Sequence, residues 1–139
     1  MTQRGRHNSF GIVYFVMPRV SPRPIKKEIE KEITANLGWV FSQLKSEPAA
    51  KDFLDDFLTD EERLMLAKRL AVIYLLKEGY SYNKISEALK ITPVTIGKIR
   101  LISKSGKTRT TEIFNRTGKQ LSLKETLSDL GIFRKQRSR

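Results

Sequence analysis

The strongest constraint on the fold of this chain is a set of helix-capping signals in its middle. Thr59 stands three residues before Glu62, which is a capping-box pattern. Gly79 suits the left-handed conformation that ends a helix. Thr92 can cap a helix whose first residue, Pro93, has no donor to lose. These signals predict one long helix and two short ones, at residues 60–78, 81–89 and 92–103.

The long predicted helix is apolar on most of its circumference. A helix that is apolar nearly all round is usually buried, so we expect residues 60–78 to lie at the centre of the core. Its apolar residues are Leu64, Leu66, Leu70, Val72, Ile73, Leu75 and Leu76.

An earlier segment carries one apolar stripe on an otherwise charged helix of about twenty residues. This stripe must be buried against the chain's own core or against a second copy. We expect Trp39 and Phe41 to be core residues rather than a base-stacking platform. Pro48 begins another short apolar segment. The stripe consists of Ile25, Ile29, Ile33, Leu37, Val40, Phe41 and Leu44.

Residues 81–100, SYNKISEALKITPVTIGKIR, have the form of a helix-turn-helix. Small Ser86 suits a close crossing of two helices. Lys90 stands where the turn often has glycine, so we expect a slightly different turn. The residues expected at the helix crossing are Ile85, Leu89, Ile91, Ile96 and Ile99. Those left to face outwards, where a recognition helix meets the DNA groove, are Val94, Thr95, Gly97, Lys98 and Leu101.

The net charge of +12 is concentrated at the two ends of the chain. Residues 1–24 hold four arginines and no acid, residues 25–99 hold twelve basic and twelve acidic residues, and residues 100–139 hold eleven basic and three acidic residues. Because a lysine or arginine on a phosphate releases condensed counterions, this distribution favours a polyanionic partner. A solvated, solubilising tail is the alternative.

Residue usage argues against an enzyme. The chain has no cysteine, and its single histidine, His7, lies near the amino terminus. Histidine-based triads and metal sites are therefore not expected. The SGKT segment at 105–108 resembles the end of a phosphate-binding loop, but Leu101 stands where that loop needs its first glycine, so we interpret the segment as a basic turn.

We expect three parts along the chain. Residues 1–24 form a disordered basic leader, or precede a true translation start at Met17. Residues 25–103 form a helical dimerisation and helix-turn-helix DNA-binding domain. Residues 104–139 form a basic C-terminal extension. No apolar run reaches the ~18 residues that span a membrane, so we expect a cytoplasmic, nucleoid-associated protein.

The C-terminal extension contains one predicted element. Ser122 and Glu125 have the spacing of a second capping box, and Gly131 suits a helix end. We therefore expect a short helix near residues 122–131, after a weakly patterned stretch. The leucines expected on one side of it are Leu123, Leu127 and Leu130.

Three strings before the helix-turn-helix, LTDEER at 58–63, AKR at 67–69 and LLKEG at 75–79, are similar to the Trp repressor family, and most similar to its YerC/YecD-type members. The resemblance covers residues 37–103. It implies an all-α helix-turn-helix domain of Trp repressor type, with about five to six helices plus a short C-terminal one. It also implies an intertwined homodimer whose two recognition helices enter successive major grooves of double-stranded DNA.

The resemblance also bears on a ligand. In tryptophan-binding members of the family the indole lies between two arginines, and Arg69 and Lys98 stand at those two positions. Thr95 matches a threonine lining that site, and Ile99 stands where those members have glycine. Arg69, Thr95 and Lys98 are therefore candidate ligand-binding residues. Because lysine lacks the planar guanidinium that stacks on an indole, we do not expect tryptophan as corepressor, and we expect no cofactor.

The sequence therefore predicts a sequence-specific DNA-binding transcriptional regulator, of repressor type, without enzymatic activity. We expect Thr95 and Lys98 at base edges or nearby phosphates. The amides beginning the recognition helix would hold a phosphate, and Arg100 would add salt-dependent affinity. The expected DNA-contacting residues are Thr92, Pro93, Val94, Thr95, Gly97, Lys98 and Arg100.

Two alternatives remain open. The main one is an RNA- or ribosome-associated basic protein that binds mainly through its C-terminal tail. It predicts little loss of binding when the outward face of the recognition helix is altered. The second is a DNA-binding module of a transposase or recombinase, which would normally adjoin a carboxylate-bearing catalytic domain that this sequence has no room for.

Overall fold

The computed structural model of the protein describes residues 22–103, 109–117 and 122–133. Within these ranges the chain forms seven helices and no strand, so the predicted all-α class is confirmed. The helices are α1 (Lys27–Gln43), α2 (Glu47–Phe57), α3 (Asp60–Lys77), α4 (Tyr82–Leu89), α5 (Pro93–Ile102), α6 (Arg109–Thr117) and α7 (Leu123–Asp129). Most of the predicted leader with Met17, the SGKT segment and the basic tail after residue 133 lie outside the described ranges.

The chain divides into two compact units, residues 1–64 and 65–139, and α3 runs from the first into the second. The first unit contains α1 and α2, neither of which buries a residue completely. Phe53 lies between two other rings, with its centroid 5.6 Å from that of Phe41 and 5.1 Å from that of Phe57. Trp39 is 65% exposed and Phe41 is 45% exposed, so the prediction that both are core residues is wrong in the single chain.

The capping box at the start of α3 is confirmed. The Glu62 amide donates to the Thr59 hydroxyl oxygen at 3.2 Å, and the Thr59 amide donates to the Glu62 carboxylate at 2.9 Å. Arg63 in the first turns of the helix pairs with Asp55 of α2 and with Asp60. These contacts fix the corner between α2 and α3.

The predicted end of α3 is also confirmed. Gly79 has φ 84°, and its amide donates to the Leu76 carbonyl at 3.1 Å. The Tyr80 amide donates to the Leu75 carbonyl at 3.1 Å. This pair of bonds is a Schellman motif, and it satisfies carbonyls that the helix itself leaves unpaired.

The core of the second unit brings together the end of α3, the two helices that follow it and the C-terminal segment. Its buried residues are Val72, Tyr74, Leu75, Ile85, Ile96, Ile99, Leu127 and Phe133. The Tyr74 ring meets the Phe114 ring edge-on at 5.5 Å, and the Tyr80 ring stacks on the Phe133 ring at 4.4 Å. This core therefore lies behind the helix-turn-helix and supports it.

The expectation that α3 is buried all round is wrong for its first half. Leu64, Leu66 and Leu70 are each more than 40% exposed in the single chain. The core of the second unit begins only at Val72, so the preceding turns have no such packing there. An apolar circumference predicts burial but does not say whether the covering surface belongs to the same chain.

The segment from Lys104 to Gln120 contains a helix that the sequence did not predict. α6 occupies Arg109–Thr117, and Phe114 packs against the core. Only Ile113 and Phe114 among its residues are large and apolar, which is too few for a recognisable period.

Helix α7 lies within the range predicted for the short C-terminal helix, but its details differ. Ser122 has helical dihedral angles and makes no side-chain cap bond, so the predicted second capping box is wrong. Leu127 is buried, whereas Leu130 is 68% exposed, so the leucines do not share one buried side. Gly131 (φ 71°) ends the helix as predicted.

One ion pair joins α7 to the end of α3. The Lys124 ammonium lies 3.2 Å from a Glu78 carboxylate oxygen. The hydrogen bond from Lys124 to Glu78 raises the pKa of the lysine.

None of the helices in the described part of the chain is long and apolar enough to cross a membrane.

Candidate nucleic-acid interface

Helices α4 and α5 form the predicted helix-turn-helix. Ile85 of α4 and Ile96 and Ile99 of α5 are buried at their crossing, and Leu89 and Ile91 are half-buried against the same core. Ser81 caps α4 by accepting from the Lys84 amide. Every apolar position predicted for the crossing is thus packed inwards, which fixes the direction in which the rest of α5 points.

The turn between the two helices keeps a left-handed geometry without glycine. Lys90 adopts φ 53° and ψ 50°, a conformation that costs a residue with a Cβ about 1–2 kcal/mol. Ser86 donates its hydroxyl hydrogen to the Ile91 carbonyl at 2.6 Å, which ties α4 to the residue after the turn. We expected a slightly different turn, but its backbone keeps the usual left-handed conformation. Only the residue type differs, since lysine stands in place of glycine.

The predicted cap at the start of α5 is confirmed. The Thr92 hydroxyl oxygen accepts from the Thr95 amide at 3.2 Å, and Pro93 occupies the first turn. The two threonine hydroxyl oxygens also lie 3.0 Å apart and are hydrogen-bonded. A hydroxyl can both donate and accept, so Thr95 keeps capacity for one further partner.

The outward side of α5 is a mixed stripe. Val94, Lys98 and Leu101 follow one another at four- and three-residue steps and therefore share a face. All three are exposed, as is Thr95 beside them. The helix thus has one side fixed in the core and an opposite side that is free in the single chain.

Tyr82, which the sequence analysis did not select, lies along the flank of this stripe. Its hydroxyl oxygen accepts from an Arg100 guanidinium nitrogen at 3.3 Å. This hydrogen bond raises the pKa of Arg100, so the guanidinium is charged at any working pH. The contact follows from the way α4 crosses α5, and no local sequence signal announces it.

Gly97 also lies on this flank. A Cβ placed on Gly97 would lie 3.9 Å from the Tyr82 ring, and the residue is half-buried. Its expected place among the fully outward residues is therefore wrong, because it faces α4. Neither the backbone conformation nor the space around it requires glycine.

The charge around the two helices is positive. Between residues 81 and 103 there are four basic side chains and one acid, Glu87. The four basic residues, all exposed, are Lys84, Lys90, Lys98 and Arg100. A surface of this kind attracts a polyanion and would lose affinity as salt is raised.

Comparison with known proteins decides the family. The model of the Trp repressor protein family matches residues 35–117, more than half of the chain. This chain belongs to the Trp repressor family. The members of this family are DNA-binding regulators with a helix-turn-helix. The matched residues extend to the end of α6. No curated protein and no solved structure matches the chain.

The three residues expected at a ligand site are not joined to one another in this structure. Arg69 of α3, Thr95 and Lys98 are all exposed. Among the described residues, no hydrogen bond joins Arg69 to either of the other two. The described part of the chain also has no cluster of His, Asp or Glu side chains suited to a metal ion. Ligand binding at these three residues stays a prediction.

Proposed function

We propose that this member of the Trp repressor family is a sequence-specific DNA-binding transcriptional regulator, acting as a repressor, that inserts α5 into the major groove. The observation that carries the proposal is the division of α5 into two sides. Ile96 and Ile99 are buried, while Val94 and Lys98 are exposed on the opposite side. A recognition helix needs a rigid inner side and a free outer side.

Separate roles follow for the residues around this helix. Thr95 and Lys98 contact base edges or the phosphates beside them. The first amides of α5, next to Thr92 and Pro93, bind a phosphate at the positive end of the helix. Arg100 binds a phosphate from the flank. Val94 completes the proposed DNA-contacting set, from which Gly97 is left out because it faces α4.

We further propose that a second copy of the chain covers the apolar stripe of α1. Ile25, Ile29, Ile33 and Leu37 are each between 42% and 54% exposed, as is much of the first half of α3. An exposed apolar stripe along one side of a helix is typical of an interface. A symmetric homodimer would present two copies of α5 to half-sites about one helical turn apart.

Within the family, the presence of Arg69 and Lys98, rather than two arginines, at the two expected ligand positions supports a YerC/YecD-type protein that does not use tryptophan. Residues 25–103 then provide dimerisation and DNA binding, and the described helices after residue 108 form an added layer on them. Such a regulator, which is not an enzyme, would work in the cytoplasm on the nucleoid.

Selection of bound duplexes from a random DNA library tests the proposal. The wild type should enrich a palindromic sequence, and a Thr95→Ala/Lys98→Ala variant should lose the enrichment, because each lost base contact weakens specific binding by about 1–3 kcal/mol. Thr34→Ala/Lys31→Ala is the matched control, since it removes the same two residue types from exposed positions on α1. The control should select the wild-type sequence.

The opposite result would favour the alternative of tail-driven RNA binding. If the wild type enriches no DNA sequence, or if the α5 variant selects as the wild type does, the outward side of α5 does not read DNA. The basic residues beyond residue 100 would then be the next candidates for binding a polyanion.

A further inference from the structure

Val94 has no packing role within the described part of the chain that explains its presence. Its side chain is 68% exposed near the start of α5, so it adds little to the core. A β-branched residue is also a poor choice for an exposed helical position, because its side chain loses rotamer freedom there. The usual reasons for a valine in a helix are therefore absent.

The polar groups next to Val94 take part in the helix cap, and the Thr95 hydroxyl keeps capacity for one further partner. The Thr92 hydroxyl accepts from the Thr95 amide, and the two threonine hydroxyls are hydrogen-bonded to each other. Lys98, one turn further on, provides the charge of the outward stripe. Val94 therefore supplies the apolar contact surface at the amino-terminal end of this stripe.

The major groove of DNA offers one apolar group on its base edges, the 5-methyl group of thymine. The amino-terminal residues of a recognition helix are those that reach base edges. Leu101 is 76% exposed on the same stripe but lies about 10 Å farther along the helix axis, towards its other end. Val94 is therefore the aliphatic side chain of α5 that is placed to meet a thymine methyl group.

We propose that Val94 is a specificity-determining residue that contacts the 5-methyl group of one thymine in each half-site. The proposal rests on the proposed function, because it needs α5 in the major groove. It predicts that the selected half-site contains a thymine whose methyl group, apart from its hydrogen-bonding groups, contributes to affinity.

Replacement of thymine by deoxyuridine tests the proposal, because it removes the methyl group and keeps the pairing. Each thymine of the selected duplex is replaced in turn, in both half-sites, and the affinity of the wild type is measured. At one position the affinity should fall about fourfold for each half-site, as expected for the loss of one buried methyl group. The other thymines should give little change.

The variant Val94→Ala assigns this loss to the residue. It should bind the thymine duplex more weakly than the wild type does and should no longer distinguish thymine from deoxyuridine at that position. Leu101→Ala is the matched control and should keep the wild-type discrimination. Because Val94 is exposed, the melting temperature of Val94→Ala should stay close to that of the wild type. The affinities are measured at a salt concentration low enough for the variant to bind DNA.

The outcomes separate the two proposals. A wild type that selects a sequence but shows no deoxyuridine effect at any position, or a Val94→Ala variant that keeps the discrimination, overturns the role of Val94 alone. A wild type that selects no DNA sequence overturns the proposed function and the role of Val94 together.

Discussion

Lys90 and Ser86 show how single residues fix the orientation of the candidate recognition helix. Lys90 takes the left-handed conformation that the turn requires, and Ser86 holds the carbonyl of Ile91 just beyond it. Both act through the backbone, so the turn does not depend on glycine. Two glycines that the chain does contain, Gly79 and Gly97, differ in whether the fold needs them.

Gly97 is a glycine that the fold does not need. It lies in the middle of α5 with ordinary helical geometry, and a Cβ would make a normal contact with Tyr82 at 3.9 Å. Gly97→Ala should therefore raise the free energy of unfolding by up to about 1 kcal/mol, as for glycine in a helix interior. Denaturant unfolding measures the change.

Gly79 provides the matched comparison. Its φ of 84° is strained for any residue with a Cβ, although the space around it is open. Gly79→Ala should lower the stability by about 1 kcal/mol or more, so the two substitutions should have opposite signs. A loss of stability in Gly97→Ala would show that the contact between α4 and α5 is tighter than described.

At the scale of elements, the contact between Tyr82 and Arg100 joins the two helices of the helix-turn-helix. The hydrogen bond is 3.3 Å long and exposed, so Tyr82→Phe should change folding stability by less than about 0.5 kcal/mol. It should weaken DNA binding about two- to tenfold on all sequences, because a free Arg100 side chain loses more conformational entropy on binding a phosphate.

A double-mutant cycle, read out by DNA affinity, tests whether Tyr82 acts through Arg100. Tyr82→Phe should have no effect in an Arg100→Ala background, because the positioned side chain is gone. Tyr80→Phe is the control, since it removes a hydroxyl from a tyrosine whose ring stacks on Phe133 instead. Equal losses from Tyr82→Phe with and without Arg100 would mean that Tyr82 acts independently of the arginine.

The C-terminal segment, residues 122–133, should stabilise the second unit, which contains the helix-turn-helix. Phe133 is buried and stacks on Tyr80, just after the end of α3. Phe133→Ala should lower the free energy of unfolding of this unit by about 3–5 kcal/mol, measured with urea. Leu130→Ala, at an exposed position of the same segment, should have a small effect. Similar losses for both would contradict the described packing.

The elements that could be predicted are those marked by local chemistry. The capping box at Thr59, the left-handed Gly79 and the Thr92–Pro93 start of α5 each require only neighbouring residues, and each is present. The apolar positions at the crossing of α4 and α5 follow from helical period alone. The approximate bounds of α1, α3, α4 and α5 could therefore be read from the sequence, whereas for α2 only a start near Pro48 could be predicted.

The features that could not be predicted depend on distant residues. Helix α6 has too few apolar residues to announce itself, and it packs through Phe114 on Tyr74, forty residues earlier. The pattern at Ser122 resembles a capping box, but the backbone there is already helical. In the candidate site, the contact of Tyr82 with Arg100 and the inward direction of Gly97 follow from the crossing of two helices, which no local spacing reports.

At the scale of the whole molecule, the described part of the single chain exposes apolar surface that its own core does not cover. The stripe of α1 is exposed, and so are the apolar side chains of Leu64, Met65 and Leu66 in α3. A chain of this size buries only about two-thirds of its unfolded surface, which leaves a sizeable remainder for a partner. A homodimer would cover this surface and place two copies of α5 on one DNA duplex.

The substitution Ile29→Glu/Ile33→Glu tests the proposed homodimer. Two charges in the middle of the α1 stripe would be buried without partners in a dimer, so the variant should sediment as a monomer where the wild type sediments as a dimer. Lys27→Glu/Lys31→Glu places the same residue on the polar side of α1 and should stay dimeric. A wild type that is monomeric at tens of micromolar would contradict the account.

Nuclear magnetic resonance distinguishes DNA reading by α5 from binding by the basic tail. The backbone amide signals of the full chain are followed as the selected duplex is added. If α5 reads the DNA, the largest shifts should fall on its first turns, between Thr92 and Lys98. Shifts confined to residues 134–139, with the α5 amides unchanged, would contradict DNA reading by α5 and assign nucleic-acid binding to the tail.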